Sequence, residues 1–167
     1  MILTGFQLRA SRQVLNLTLE ELHKESNVSK ITLSRLENTI SNLEDISCSA
    51  KDAENILSFF SQKDLSFNNK HTIALKEDIE TKDVKENITR FQFIVARTIL
   101  QYSQREISKY LRINYNTVHK LESFDNKSFL HIKSANISDF ICFFAKKNIS
   151  FPDNLSVQLS SEINTHD

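Results

Sequence analysis

Apolar and polar positions along this chain fall into helical stripes, and the same set of stripes comes round twice. In the first set, the apolar residues within Leu8–Leu15 predict a first helix. A Thr18-x-x-Glu21 capping box opens a second, short helix that turns Leu22 inward and breaks near Asn27. Ser29 is a fitting N-cap for a third helix burying Leu33 and Leu36. Ala53, Ile56, Leu57 and Phe60, at i, i+3, i+4 and i+7, predict a fourth. The tail "LSFNNKHTIAL" alternates apolar residues on either side of an Asn-rich turn and reads as a β-hairpin. The second set runs in the same order: Phe93–Leu100, then Ser103-x-x-Glu106 with Ile107 inward and a break near Arg112. Asn114 caps a third helix burying Val118 and Leu121; Ile137, Phe140, Ile141 and Phe144 form the fourth, and "ISFPDNLSVQL" the hairpin.

Placing Leu22 on Ile107, an offset of 85 residues, aligns "TGFQLRASRQVLNLT" with "TRFQFIVARTILQYS". Identical pairs include Thr4/Thr89, Phe6/Phe91, Gln7/Gln92, Arg12/Arg97, Leu15/Leu100, Leu36/Leu121 and Glu37/Glu122. After one deletion the offset becomes 84, and "AENILSFFSQKDLSF" falls on "ISDFICFFAKKNISF". Only two copies at so long a period imply a duplicated domain, not a solenoid, which needs at least three stacked units. The expected architecture is mainly α: a first unit over 1–76, a charged linker over 77–87, a second unit over 88–160 and a tail over 161–167. Each unit should hold about four helices and a short C-terminal hairpin.

Gly5 is the only glycine in the chain. A tight turn between helices needs a residue in the left-handed region, where Gly is cheapest and Asn next. Asn16 and Asn27 stand where the first copy needs them; the second copy has Gln101 and Arg112, at about 1 kcal/mol per position if the geometry is kept.

Composition adds little until charge is divided by copy. The chain is 40% hydrophobic and 25% charged, which fits a folded chain. It has no apolar run long enough to cross a bilayer and no signal-peptide core, so a cytoplasmic setting is expected. Cys48 and Cys142 are isolated, without metal-ligand spacing to any histidine, and read as reduced thiols. Net charge is zero, yet residues 1–80 carry 9 Lys+Arg against 12 Asp+Glu, leaving the second half basic. If one half meets phosphate, the second is the better suited. Catalysis finds no support: there is no Gly-rich phosphate loop, no Gly-x-Ser-x-Gly and no histidine–carboxylate constellation, and neither metal nor cofactor is expected.

Two short helices joined by a tight turn, the second with a polar exposed edge, describe a helix-turn-helix. Both "LRASRQVLNLTLEELHKESNVSKITLSRLE" and "FIVARTILQYSQREISKYLRINYNTVHKLE" resemble the phage-repressor-like (Cro/XRE) helix-turn-helix family of small bacterial regulators. The resemblance covers almost all of the chain outside the linker and the last residues. It implies two tandem lambda-repressor-like domains, double-stranded DNA as partner, and the third helix as the element that reads the major groove. It implies structural ion pairs Arg12–Glu37 and Arg97–Glu122 between the first helix and the end of the third; bidentate Arg–carboxylate geometry suits that task.

Carried over position by position, the resemblance places Lys30, Ile31, Thr32, Ser34 and Arg35 in the groove for the first copy, with Thr18 at a phosphate. For the second copy it places Tyr115, Asn116, Thr117, His119 and Lys120 in the groove, with Ser103 and Gln104 at a phosphate. Asn suits adenine, Arg and Lys suit guanine, and Ile31 or a Thr methyl suits the thymine methyl. His23 reads as a boundary residue beside the third helix and the Phe59–Phe60 and Phe143–Phe144 pairs as core. For His119, DNA contact and a plain surface position stay open.

Two functions follow as expectations. One is a transcription regulator binding DNA through one or both units. The other is an interaction module in which the acidic first copy has lost DNA binding, and only the second copy or neither contacts DNA. The first then dimerises or holds a protein, through its surface or through the edges of "HTIAL" and "SVQLS".

Overall fold

The computed structural model describes residues 3–39, 47–76 and 86–160. Most of the expected linker, 77–85, and the whole expected tail, 161–167, lie outside them. Among the described residues the fold is mainly helical, with one small antiparallel sheet. The first half runs α1 (Gly5–Val14), α2 (Leu19–Ser26), α3 (Lys30–Glu37), α4 (Ala50–Gln62), β1 (Leu65–Ser66) and β2 (Thr72–Leu75). The second runs α5 (Arg90–Ile99), α6 (Gln104–Tyr110), α7 (Tyr115–Glu122), α8 (Ser134–Ala145), β3 (Ile149–Ser150) and β4 (Ser156–Leu159). No helix among the described residues is long and apolar enough to cross a membrane.

The first helix of each half begins three residues before the stripe that predicted it. Thr4 and Thr89 are its N-caps, and each donates its backbone N–H to the side-chain amide of the glutamine three residues on, Gln7 or Gln92, at 3.0 Å. These glutamines are fully buried. Gln7 Nε2 donates to the Asn69 and Thr72 carbonyls at 2.7 and 2.9 Å, and Gln92 Nε2 donates to those of Asp153 and Ser156. One amide thus caps the helix and grips the hairpin. A buried amide left without these partners would cost about 1–3 kcal/mol.

Among the described residues, the turns that need a left-handed residue find one without glycine. Asn16, Asn27 and Asp64 have φ of 54°, 55° and 60°, and Gln101, Arg112 and Asn148 have 57°, 54° and 62°. Gln101 and Arg112 therefore keep the geometry that their side chains disfavour. The turn bonds match as well: Leu17 N–H to Arg12 O at 3.0 Å, and Tyr102 N–H to Arg97 O at 3.2 Å.

The hairpins do not stand apart as two separate ribbons. They join into one sheet of order β1-β2-β4-β3. β2 and β4 pair antiparallel with Thr72 opposite Gln158, Ile73 opposite Val157 and Ala74 opposite Ser156. A shift of 84 residues carries this register onto itself, with Ile73 and Val157 at its centre. The strand edges expected to meet another molecule are thus occupied by each other, which leaves the two-residue strands β1 and β3 outermost.

Beside the sheet, α1 packs on α5. α5 is buried at nearly every position, since α1 covers one side and its own half the other. One apolar cluster runs through both halves, from Phe6, Leu22 and Phe60 to Phe93, Ile107 and Phe144. Phe59 is buried and Phe143 partly so, in line with core. Ala53, Leu57 and Ile141, expected inward, are only half-buried.

Candidate nucleic-acid interface

Each short helix pair is held on the first helix of its half by an arginine. Arg12 meets Glu37 with two arms, Nε to Oε1 and Nη2 to Oε2, both at 2.7 Å. Its third nitrogen, Nη1, donates to the Leu17 carbonyl at 2.8 Å, tying down the turn before α2. Arg97 repeats this with Glu122, Nη2 to Oε2 at 2.8 Å and Nε to Oε1, and with the Tyr102 carbonyl at 2.7 Å. The carboxylates are 6% and 8% exposed, so removing one partner would strand a buried charge, at about 3–5 kcal/mol.

With one face fixed, the other is outward. On α3, Leu33 and Leu36 are buried, Lys30, Ile31 and Arg35 are exposed, and Thr32 and Ser34 are half-buried. Ile31 is 83% exposed, the highest of any large apolar side chain described. On α7, Val118 and Leu121 are buried, Thr117 is half-buried, and Tyr115, Asn116, His119 and Lys120 are exposed. The N-caps, Ser29 and Asn114, accept from Thr32 N–H at 3.1 Å and Asn116 N–H at 2.8 Å.

The expected phosphate residues behave differently. Thr18 Oγ1 donates to Glu21 Oε2 at 2.7 Å, and Ser103 Oγ accepts from Glu106 N–H at 3.2 Å. The Thr18 and Ser103 backbone N–H groups both go to those glutamates, at 2.7 Å. Hydrogen bonding from Thr18 and Ser103 holds both carboxyls below the ordinary glutamate value, from the Thr18 backbone N–H first for Glu21 and from the Ser103 hydroxyl first for Glu106. Gln104, also expected at phosphate, instead turns its amide inward to Glu122 Oε2 at 2.9 Å, where it completes the ion pair. Arg35 reaches the Ser47 carbonyl at 3.2 Å, and Asn38 Nδ2 donates to the Ser34 carbonyl at 2.9 Å.

The two faces differ most where α2 meets α3 and α6 meets α7. Lys30 Nζ lies 3.4 Å from Glu20 Oε2, with Lys24 Nζ 3.9 Å from the other oxygen. At the matching place in the second half, 85 residues on, Arg105 lies over the Tyr115 ring, 5.6 Å from its centroid. An ion pair of no net charge in one half answers to a cation on an aromatic ring in the other. Neither Glu20 nor Arg105 was singled out in the sequence, although the reversed charge at aligned positions was visible there.

His23 Nδ1 donates to the Val28 carbonyl at 2.8 Å, bracing the turn between α2 and α3. Among the described residues no group of three or more His, Cys, Asp or Glu side chains could hold a metal ion. Arg90, although part of the basic second half, is 2% exposed and does not reach the surface. Tyr110, exposed on α6, stacks on Tyr102 with centroids 4.7 Å apart. A cleft of about 500 Å³ between the halves is lined by Arg12 and Arg97, but both are committed to their glutamates.

Compared with protein-family models, with curated proteins and with solved structures, the chain matches none.

Proposed function

We propose that this chain is a sequence-specific double-stranded DNA-binding regulator of the phage-repressor-like class, reading the major groove with α3 and α7. It is a tandem of two helix-turn-helix units in one chain, each with four helices and a hairpin. The observation that carries this reading is the pair of outward faces on α3 and α7, each braced from behind by the same two-armed arginine–glutamate contact. Lys30, Ile31 and Arg35 on one helix, and Tyr115, Asn116, His119 and Lys120 on the other, supply donors, acceptors and apolar contacts of the kind that base edges accept.

The self-matching register of β2 and β4 further supports a two-headed reader. Such a register is the pattern of a two-fold interface between identical subunits, formed here within one chain. The operator would then hold two half-sites about 34–36 Å apart, or a multiple of that, and unlike each other in sequence because the two helices differ.

A second reading assigns DNA binding to the second half alone, with the first half serving assembly or a protein partner. The Glu20–Lys30 pair and the acidic first half favour it. One measurement separates the two: binding to mixed genomic fragments at two salt concentrations by Asn116→Ala/Lys120→Ala and by Lys30→Ala/Arg35→Ala. Equal losses support two heads, and a loss from the first variant only supports division of labour. An intact chain with no salt-dependent binding overturns both.

A further inference from the structure

We propose that Arg90 is the positioning residue that sets the separation and relative rotation of the two reading helices. This rests on the two-headed reading above.

Arg90 is the first residue of α5 and is 2% exposed, an unusual setting for a guanidinium. Its guanidinium donates to four acceptors, two in each half, that must hold still for two heads to keep one distance. Nε donates to the Glu122 carbonyl at 2.7 Å, the end of reading helix α7. Nη1 donates to the Val14 carbonyl at 3.2 Å, the end of α1 in the other half, and Nη2 to Asn16 Oδ1 at 3.2 Å, in the turn that leads to α2. Nη1 also donates to Asn126 Oδ1, in the segment after α7. One planar fork therefore joins the base of the second head to the turn before the first. Its rigid donor geometry carries orientation as well as attraction.

The brace runs in one direction only. The position matching Arg90 in the first half is Gly5, which has no side chain to offer. There the backbone sits so close to α3 that a Cβ would fall 2.8 Å from the Leu36 carbonyl. The end of α3 is served instead by Arg9, from within its own half, Nη1 to the Glu37 carbonyl at 3.0 Å. The first head is anchored locally and the second across the molecule.

The test uses the full chain and a randomised duplex pool, from which the wild type selects a two-part site. Binding is then measured on that site and on versions with one base pair added or removed between its halves. One base pair turns the second half-site by roughly 35°, so the wild type should lose about thirtyfold or more. Arg90→Met, folded at the assay temperature, should bind the selected spacing within about threefold of wild type. Its penalty on the altered ones should be about threefold or more smaller than that of the wild type, since the sheet and the shared core still join the halves. Asn16→Gly suits the left-handed turn while removing the Oδ1 acceptor; it should relax the spacing in the same direction and decides the matter if Arg90→Met does not fold. A folded variant with wild-type spacing dependence, or one that loses affinity equally at every spacing, overturns the proposal. A wild type that selects no two-part site overturns the two-headed reading, and this inference with it.

Discussion

Ile73 lies directly opposite Val157 at the centre of the sheet, and both side chains are fully buried. Each takes the place of the other under the 84-residue shift, so the local two-fold axis relating the two paired strands passes between them. Ile73→Ala should cost about 2–5 kcal/mol and Val157→Ala somewhat less. Because the residues are cross-strand neighbours, the double variant should depart from additivity by about 0.5 kcal/mol or more. Thermal unfolding should remain one transition, as one apolar cluster links the halves. Calorimetry of the four proteins measures both quantities, and two separate transitions in the wild type would contradict the shared core.

Gln101 and Arg112 hold positive φ, at 57° and 54°, on exposed turns. Glycine adopts that conformation without the Cβ penalty. Gln101→Gly and Arg112→Gly should each stabilise the chain by about 0.5–1 kcal/mol, against the usual cost of introducing glycine. Asn27→Gly should change little, since Asn already tolerates the region. Denaturant midpoints for the three variants would show the ordering.

Glu21 and Glu106 have carboxyls held below the ordinary glutamate value by Thr18 and Ser103. A lowered folded value means that the unfolded chain binds the proton more readily. Their contribution is therefore present above the ordinary glutamate value, about 4.3, and is lost as pH falls through the lower folded value. Melting temperature followed from pH 6 to about pH 3 should fall less steeply for Glu21→Gln/Glu106→Gln than for the wild type. Parallel curves would show that the two capping boxes contribute nothing to acid sensitivity.

Glu20 beside Lys30 and Arg105 beside Tyr115 set the charge of the two candidate reading surfaces. On duplex DNA, Arg105→Glu should weaken binding about tenfold and flatten the salt dependence, whereas Glu20→Arg should strengthen it and steepen the slope by about one counterion. Filter binding or anisotropy at several salt concentrations gives both numbers. Should Glu20→Arg leave affinity and slope alike unchanged, the first surface does not meet phosphate.

Much of the helical plan was legible because its causes are local. Capping boxes act across three residues, apolar stripes across seven, and the turn asparagines on themselves. The inward faces of α2, α3, α6 and α7 followed directly, and with them the outward ones. Where sequence reading fell short, the deciding partner was distant. The Thr4–Gln7 and Thr89–Gln92 boxes spelled out earlier helix starts, but an apolar stripe does not register a buried amide whose other partners lie in the hairpin, 62 and 65 residues on from Gln7. Gln104 looked like a surface residue until Glu122 was brought beside it.

By itself, the order of residues determined two like sets of helices, their turns and the polar faces of α3 and α7, since each depends on neighbours within one or two helical turns. Tertiary structure decided that the hairpins fuse into one sheet, that α5 is buried against α1, and that Arg90 spends its charge inside the molecule. Those outcomes turn on contacts such as Arg90 with Val14, 76 residues apart, and His71 with Leu159, 88 apart. No periodicity encodes such pairs; what selects them is the burial of apolar area and the pairing of buried polar groups such as these once the chain has closed on itself.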